Sequence, residues 1–235
     1  MKTRNRCGSD FIADPIPVWK RAIDLVASGL GLLLLSPLLL LVVVAVKLSS
    51  PGPAFLKQKR VGREGKTFTI WKFRTMRQNA DHSVHQQHLK RLIEMDMPMM
   101  KLDSAADPRV FPLGKLIRRS YIDELPQLIN VFRGEMSLVG PRPCLPYEAE
   151  RFKPWQRARF RTLPGMTGLW QVSGKNRTTF TQMIEFDIEY ADRLSFWLDA
   201  KILLKTVPVI VSEMSGRLAK YRTVQRQVTV ARKNT

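Results

Sequence analysis

Residues 25–46 read LVASGLGLLLLSPLLLLVVVAV, a run of 22 positions without a charge. A membrane-spanning helix needs about 20 apolar residues, so the simplest expectation is one spanning helix. A cleaved signal peptide fits poorly, because its apolar core is usually only about 7–15 residues long. The pair Ser36-Pro37 near the middle complicates the picture. Proline removes a helix hydrogen bond and crowds the preceding turn. It divides the run into arms of 12 and 9 residues. Each arm is about 14–18 Å long at 1.5 Å per residue, shorter than a hydrocarbon core of about 30 Å.

Working outward, both flanks are basic. Lys2, Arg4, Arg6, Lys20 and Arg21 precede the run, and Lys47, Lys57, Lys59 and Arg60 follow it. Cytoplasmic flanks carry the excess of Lys and Arg, so this symmetry gives no preference for a crossing. A helix that enters, breaks at Ser36-Pro37 and returns would leave both ends on one side. A kinked spanning helix stays open at this point, because prolines also occur in spanning helices.

The chain has 235 residues, room for one domain and a small appendage. Its 39 Lys and Arg against 20 Asp and Glu give a net charge of +19, while the hydrophobic fraction of 44% supports a packed core. That combination excludes a wholly disordered basic tail. Two cysteines, Cys7 and Cys144, argue against a disulfide-stapled module. The charge calls for a polyanionic partner: nucleic acid, an anionic lipid surface or a phosphorylated substrate.

After Pro51-Gly52-Pro53, residues 54–76 read as a hairpin turning at residues 62–65. Nine basic residues against one acid, Glu64, lie between Lys47 and Arg77, as on a face that meets solvent or lipid headgroups. Residues 78–106 form a polar, Met-rich insertion with a helix through Leu89-Lys90-Arg91-Leu92-Ile93. It carries His82, His85 and His88 without a carboxylate pattern to complete a metal site, so a mobile surface insertion is expected. Further on, 180–191 has a helical period. Ser195 can cap another helix, whose stripe Phe196, Trp197, Ala200, Leu203, Leu204 and Val207 suits core packing or a membrane surface. Arg217 to Thr235 carries six basic residues and no acid, as in a flexible tail drawn to anionic lipid.

The chemistry-bearing stretch is Leu116-Ile117-Arg118-Arg119-Ser120-Tyr121-Ile122-Asp123-Glu124-Leu125-Pro126-Gln127. Ser120 followed by Asp123 resembles a capping box. Leu125, Leu128, Ile129 and Phe132 give a helical face, and Gly134 is a natural stop. Pro126 fits only a first turn, which sets Asp123-Glu124 at a helix N-terminus, where the backbone favours carboxylate and phosphate alike. On this stretch alone, a cap at Asp123 paired with Arg119 is the simpler reading. Pro141-Arg142-Pro143 holds an arginine on a stiff loop suited to phosphate. Residues 163–176 read as a turn-rich connection.

Four segments together resemble the bacterial sugar transferases, the monotopic phosphoglycosyl transferases. They are Lys57-Gln58-Lys59-Arg60-Val61-Gly62 with Trp71-Lys72-Phe73-Arg74-Thr75-Met76; the stretch from Arg118 to Gln127; Asn130-Val131-Phe132-Arg133-Gly134-Glu135-Met136-Ser137-Leu138-Val139-Gly140-Pro141-Arg142-Pro143; and Pro164-Gly165-Met166-Thr167-Gly168. The likeness runs from about Val18 to about Thr206. It implies a mainly α fold with a short β-hairpin, one re-entrant helix broken at Ser36-Pro37, and interfacial amphipathic helices. The expected divisions are a basic segment 1–17, a membrane helix 18–50, a catalytic domain 51–210 with the 78–106 insertion, and a basic tail 211–235. Many larger relatives carry spanning helices and a further domain before the catalytic region, so the catalytic unit alone is expected here.

The implied reaction moves a sugar 1-phosphate from a UDP-sugar to a polyprenyl phosphate, releasing UMP. By resemblance, Asp123 is the nucleophile and Glu124 is implicated in binding Mg²⁺. Lys72, Arg118, Arg142 and Asp187 match the family's other substrate- and phosphate-binding positions. The elementary chemistry agrees: a diphosphate repels a carboxylate until Mg²⁺ and Lys/Arg neutralise it, and a covalent intermediate splits one transfer into two. The implied setting is the cytoplasmic face of a bacterial inner membrane, among anionic lipids. A second copy of the chain and downstream glycosyltransferases are expected partners. Two other classes stand against this: a membrane-tethered nucleic-acid-binding protein, for which no helix-turn-helix or RNA-binding aromatic motif is present, and an inactive lipid-phosphate scaffold, against which the intact Asp123-Glu124 pair argues.

Overall fold

A computed structural model describes residues 13–77, 83–99 and 109–233. The apolar run lies within α1, Val18–Ser49, a single 32-residue helix that contains Pro37. The proline does not end the element. Lacking an N–H, it orphans the carbonyl four residues earlier, that of Leu33, and the Ser36 hydroxyl donates to that oxygen at 2.7 Å. The Ser-Pro pair therefore repairs its own defect.

One edge of α1 lies against the rest of the protein at both ends. Lys20, Asp24 and Ser28 near its start, and Val42 and Val46 near its end, are buried at helical i, i+4 spacing. The Lys20 ammonium reaches the Val139 carbonyl at 2.9 Å, the Tyr190 hydroxyl at 3.0 Å and Asp199 at 2.6 Å. Asp24 accepts from the Ser137 hydroxyl at 3.0 Å and the Leu138 amide at 2.9 Å. At the far end Val42 and Val46 pack with Ala54, Phe73, Phe111 and Ile117. Between these contacts Leu33, Leu34, Ser36 and Pro37 are exposed.

The predicted hairpin forms from β1, Phe55–Val61, and β2, Thr67–Phe73, antiparallel with Phe55 opposite Phe73 and Val61 opposite Thr67. The helix expected in the insertion is α2, Ser83–Glu94. The described part of the insertion is docked rather than loose: Leu92 and Met99 enter the core with Phe180 and Met183. The Met99 amide donates to the Thr178 carbonyl at 2.9 Å. His82 and residues 78–81 and 100–108 lie outside the described residues, as do residues 1–12 of the basic N-terminal segment and the last two of the tail.

Then come α3, Pro112–Arg119, a 3₁₀ turn over Ile122–Gln127, and α4, Leu128–Arg133, which ends at Gly134 in the left-handed conformation (φ 81°) as expected. Strand β3, Ser137–Val139, leads through α5, Pro146–Ala149, and a 3₁₀ segment over Pro154–Arg161 to β4, Gly165–Thr167. Strands β3 and β4 pair in parallel, Ser137 opposite Gly165. This ribbon falls partly within 163–176, expected to be a connection, because three residues are too few to display a strand's alternation.

The chain closes with α6, Leu169–Val172; α7, Phe180–Asp192; and α8, Phe196–Lys233. Thr179 and Gln182 form a capping box at the start of α7. The Ser195 hydroxyl caps α8 through the Leu198 amide at 3.3 Å. Helix α8 continues through Pro208 into the stretch expected to be a flexible tail. The whole is mainly helical with one short antiparallel hairpin and one long apolar helix.

Candidate active site

Asp123 and Glu124 occupy the first turn of the 3₁₀ segment, not the cap of an α-helix. Ser120 instead closes α3: its hydroxyl donates to the Leu116 and Ile117 carbonyls, so the anticipated capping box does not form. The next residue, Tyr121, takes φ 58°, a left-handed conformation that is uncommon without glycine. This turn swings the chain from α3 into the 3₁₀ segment and leaves both carboxylates half-buried at the surface. Pro126 lies inside the 3₁₀ segment, one residue before its end, rather than in the first turn that the sequence suggested.

Lys72 on β2 donates to Glu124 Oε1 at 2.9 Å, with both side chains partly exposed. Asn130 explains why these two meet. Fully buried on α4, its side-chain amide accepts from the Trp71 amide at 3.1 Å and donates to the Thr69 carbonyl at 2.7 Å. The edge of β2 is thereby tied to the helix that continues the Asp123-Glu124 turn. Arg118 and Arg119 fill the last turn of α3, one short bend upstream. Lys72 from β2 thus meets the turn that carries both carboxylates, and the two arginines precede that turn in sequence.

Arg142 sits apart from that cluster in its bonding. Its Nη1 lies 3.6 Å from the buried Glu148 carboxylate. Asp187 is buried on α7 and pairs with Arg159 at 2.6 Å, with 1% of each side chain exposed. Burial pushes the Asp187 carboxyl up to about 6, against the lowering influence of Arg159 and Arg142. Nearby, burial moves the Arg60 guanidinium down to about 10 and the Cys144 thiol up to about 11. Of the predicted residues, the structure brings Lys72 to the Asp123-Glu124 turn, sets Arg118 on the helix just before it, and gathers Arg142 and Asp187 around the loop after β3.

A family model for bacterial sugar transferases matches residues 16–213. The chain belongs to the bacterial sugar transferase family. Among curated relatives, the exopolysaccharide production protein ExoY of Sinorhizobium fredii is 41% identical over 194 residues, covering 81% of this chain and 84% of that protein. A UDP-glucose:undecaprenyl-phosphate glucose-1-phosphate transferase of Caulobacter vibrioides is 42% identical over 201 residues, covering 82% of this chain and 70% of that one. The protein of the same name from Escherichia coli K12 is 40% identical over 196 residues, 80% of this chain but 39% of its own length.

In this sugar transferase the structure also adds residues that the sequence did not single out. Lys175, at φ 39°, lies 5.2 Å above the Tyr121 ring and pairs with Glu213 of α8 at 2.8 Å. The Tyr121 hydroxyl bonds Glu213 as well. Helix α8 is thus fastened two residues from Asp123. An acid isolated by 13 residues from the other acid of its helix, Asp199, carries no local pattern, so nothing in the sequence marked Glu213. Arg159 was equally silent among the neighbouring arginines 151, 157 and 161.

Proposed function

We propose that this enzyme transfers a sugar 1-phosphate from a UDP-sugar to a polyprenyl phosphate, giving a polyprenyl diphosphate sugar and UMP, for the first membrane step of a surface glycan. The observation that carries the reading is the Asp123-Glu124 pair presented on a turn, with Lys72 bonded to Glu124 and two arginines just upstream. The names of the Caulobacter and Escherichia relatives describe the same transfer.

In the first half-reaction a carboxylate oxygen of Asp123 attacks the β-phosphorus. The Asp123 O–P bond forms, the bond from that phosphorus to the bridging oxygen breaks, and the oxygen leaves with UMP. In the second, an oxygen of the polyprenyl phosphate attacks the same phosphorus and Asp123 departs as carboxylate. Neither step needs a proton. Arg118 and Arg142 bind phosphate oxygens, and Lys72 fixes Glu124 while adding positive charge. An early and a late substrate, one soluble and one lipid, use one nucleophile in turn.

A Mg²⁺ ion fits this donor set. Such ions are usually held by one or two carboxylates plus substrate phosphates, and no cluster of three or more His, Cys, Asp or Glu forms an all-protein cage among the described residues. Glu124 would hold it, and when bound it would neutralise charge on the diphosphate.

We further place the protein on the cytoplasmic face of the inner membrane, with α1 entering and leaving on the same side. Both ends of α1 rest on one body, through Lys20 and Asp24 at one and Val42 and Val46 at the other. A helix that carried one end across the bilayer could not keep both sets of contacts. The exposed Leu33, Leu34, Leu40 and Leu41 of α1, with Trp197, Leu204 and Val207 of α8, supply an apolar surface for lipid. In sealed vesicles of known orientation, Cys7 should react with an impermeant maleimide only from the cytoplasmic side; labelling from the other side overturns the topology.

The reaction is tested with a UDP-sugar radiolabelled in its β-phosphate and no lipid acceptor. Wild type should retain label and release UMP, and added polyprenyl phosphate should discharge the label into lipid. Transfer that demands both substrates at once, with no labelled enzyme, overturns the covalent step. A panel of UDP-sugars read by UMP release identifies the sugar.

A further inference from the structure

The loop Pro141-Arg142-Pro143 can be accounted for group by group. Its prolines have no N–H, so its backbone offers three carbonyls and one amide. The Pro141 carbonyl accepts from the Gly165 amide at 2.8 Å. The Arg142 carbonyl accepts from Arg159 Nη2 at 2.6 Å. The Pro143 carbonyl accepts from Arg60 Nη1 at 3.1 Å. The single amide, that of Arg142, faces Asp187 and favours its charge, an electrostatic contact rather than a well-aligned hydrogen bond. The same Arg159 Nη2 that holds the Arg142 carbonyl also lies 2.6 Å from Asp187 Oδ2. On the other side Gly140 meets the chain leading into β4 so closely that a Cβ there would fall 2.2 Å from the Leu163 carbonyl.

A buried ion pair is weak as a source of stability, because desolvation offsets most of the attraction. A pair that meets one residue's backbone at both its amide and its carbonyl has a different use. With 1% of each side chain exposed, neither Asp187 nor Arg159 is open to a substrate, whereas the Arg142 side chain is 26% exposed.

We propose that Arg159 and Asp187 are positioning residues: together they hold the Arg142 backbone and so aim its guanidinium at the substrate phosphate, with no substrate contact of their own. This rests on the phosphate-binding role of Arg142 in the reaction proposed above.

The test uses the full chain in lipid nanodiscs with the UDP-sugar that wild type accepts. Asp187→Asn should raise KM for that sugar nucleotide about tenfold, with a smaller fall in kcat, as expected when a binding group is misplaced by a fraction of an ångström. In an Arg142→Ala background the same change should add less than about twofold, because both substitutions remove one function. Arg159→Lys, which keeps the charge without the shared Nη2, should behave in the same way and serves if Asp187→Asn does not fold. An undiminished effect in the Arg142→Ala background means that Asp187 acts directly, and a fall in kcat with KM unchanged means a purely structural role; either overturns the inference. A second measurement is independent of activity. Hydrogen exchange of peptides covering 140–145 should quicken in both variants while peptides covering α4 stay unchanged. Unchanged exchange at 140–145 overturns the inference even if no UDP-sugar reacts, and wild type inactive towards all UDP-sugars, with faster exchange in the variants, faults the reaction alone.

Discussion

Asp123 and Asp187 are the same residue type, each set among arginines, and they end up with opposite lives. Asp123 stands half-buried on a short 3₁₀ turn that begins from a left-handed tyrosine. Asp187 is buried in the middle of a 13-residue helix and pairs with a guanidinium as buried as itself. A carboxylate that is to attack phosphorus, the role proposed for Asp123, has to stand where a charged substrate can reach it. A carboxylate inside the protein is held by its partners and holds them in return. The same division separates Lys72, partly exposed on Glu124, from Lys20, buried on Asp199.

The largest effect should come from breaking the presented side of this contrast. Asp123→Asn keeps size and hydrogen-bonding capacity, and Asn serves as well as Asp near a helix start. Thermal stability should therefore hardly move, while turnover falls by about 10⁴-fold or more, as when another enzyme's covalent nucleophile is removed. Retained label on the variant would return Asp123 to a structural role.

Next comes the held side. Lys20→Met leaves Asp199 and the Tyr190 hydroxyl, 2.7 Å apart, without their cation. Removing one member of a buried pair costs about 3–5 kcal/mol, which should appear as a lowered unfolding midpoint in nanodiscs. The double variant Lys20→Met, Asp199→Leu should recover most of that loss. A midpoint unchanged in the single variant would mean that α1 is not anchored there.

Glu124→Gln should lower turnover about 10²-fold, the scale of one lost electrostatic contact in a transition state. It should also shift the Mg²⁺ concentration for half-maximal rate. Full activity of wild type in excess chelator, or an unshifted midpoint in the variant, would take the metal away from Glu124.

The hairpin was legible in the sequence, since the pairing of β1 with β2 follows from the turn at 62–65. Asp123, Glu124 and Lys72 are singled out by the resemblance to the sugar transferases, because the residues alone favour a cap at Asp123, and most of the holding groups leave no signal at all. The turn at Tyr121 carries the sequence signature of a capping box, yet Ser120 bonds backward into α3 rather than forward. Asn130, Arg159 and Glu213 do their work through contacts across 61, 17 and 92 positions of sequence. No local spacing encodes such contacts. The insertion looks loose in sequence because the core partners of Leu92 and Met99, Phe180 and Met183, lie more than 80 positions away.

A smaller effect separates Asp187 from Asp123 by pH. Burial raises the Asp187 carboxyl from the usual 3.8 to about 6. Between those values the folded protein keeps a proton that the unfolded chain has released, so this group's contribution to stability is full below about pH 4 and is lost as pH rises through 6. Asp187→Asn should flatten the stability profile across that window. An unaltered slope would mean that Asp187 ionises as an ordinary exposed carboxyl does.

The smallest expected change carries the contrast down to a single backbone group. Pro37 leaves the Leu33 carbonyl without its helical donor, and the Ser36 hydroxyl supplies one at 2.7 Å. In water that bond would matter little, because solvent could replace it. In lipid nothing else can, so an open carbonyl carries its desolvation cost. Ser36→Ala should therefore lower stability by about 1 kcal/mol in nanodiscs, the ordinary worth of one hydrogen bond, with turnover nearly unchanged. In detergent micelles, where water reaches the middle of α1, the loss should shrink towards zero. An equal loss in both media would mean that residues 33–37 do not sit in the hydrocarbon, and the apolar face of α1 would then need a protein partner instead of a bilayer.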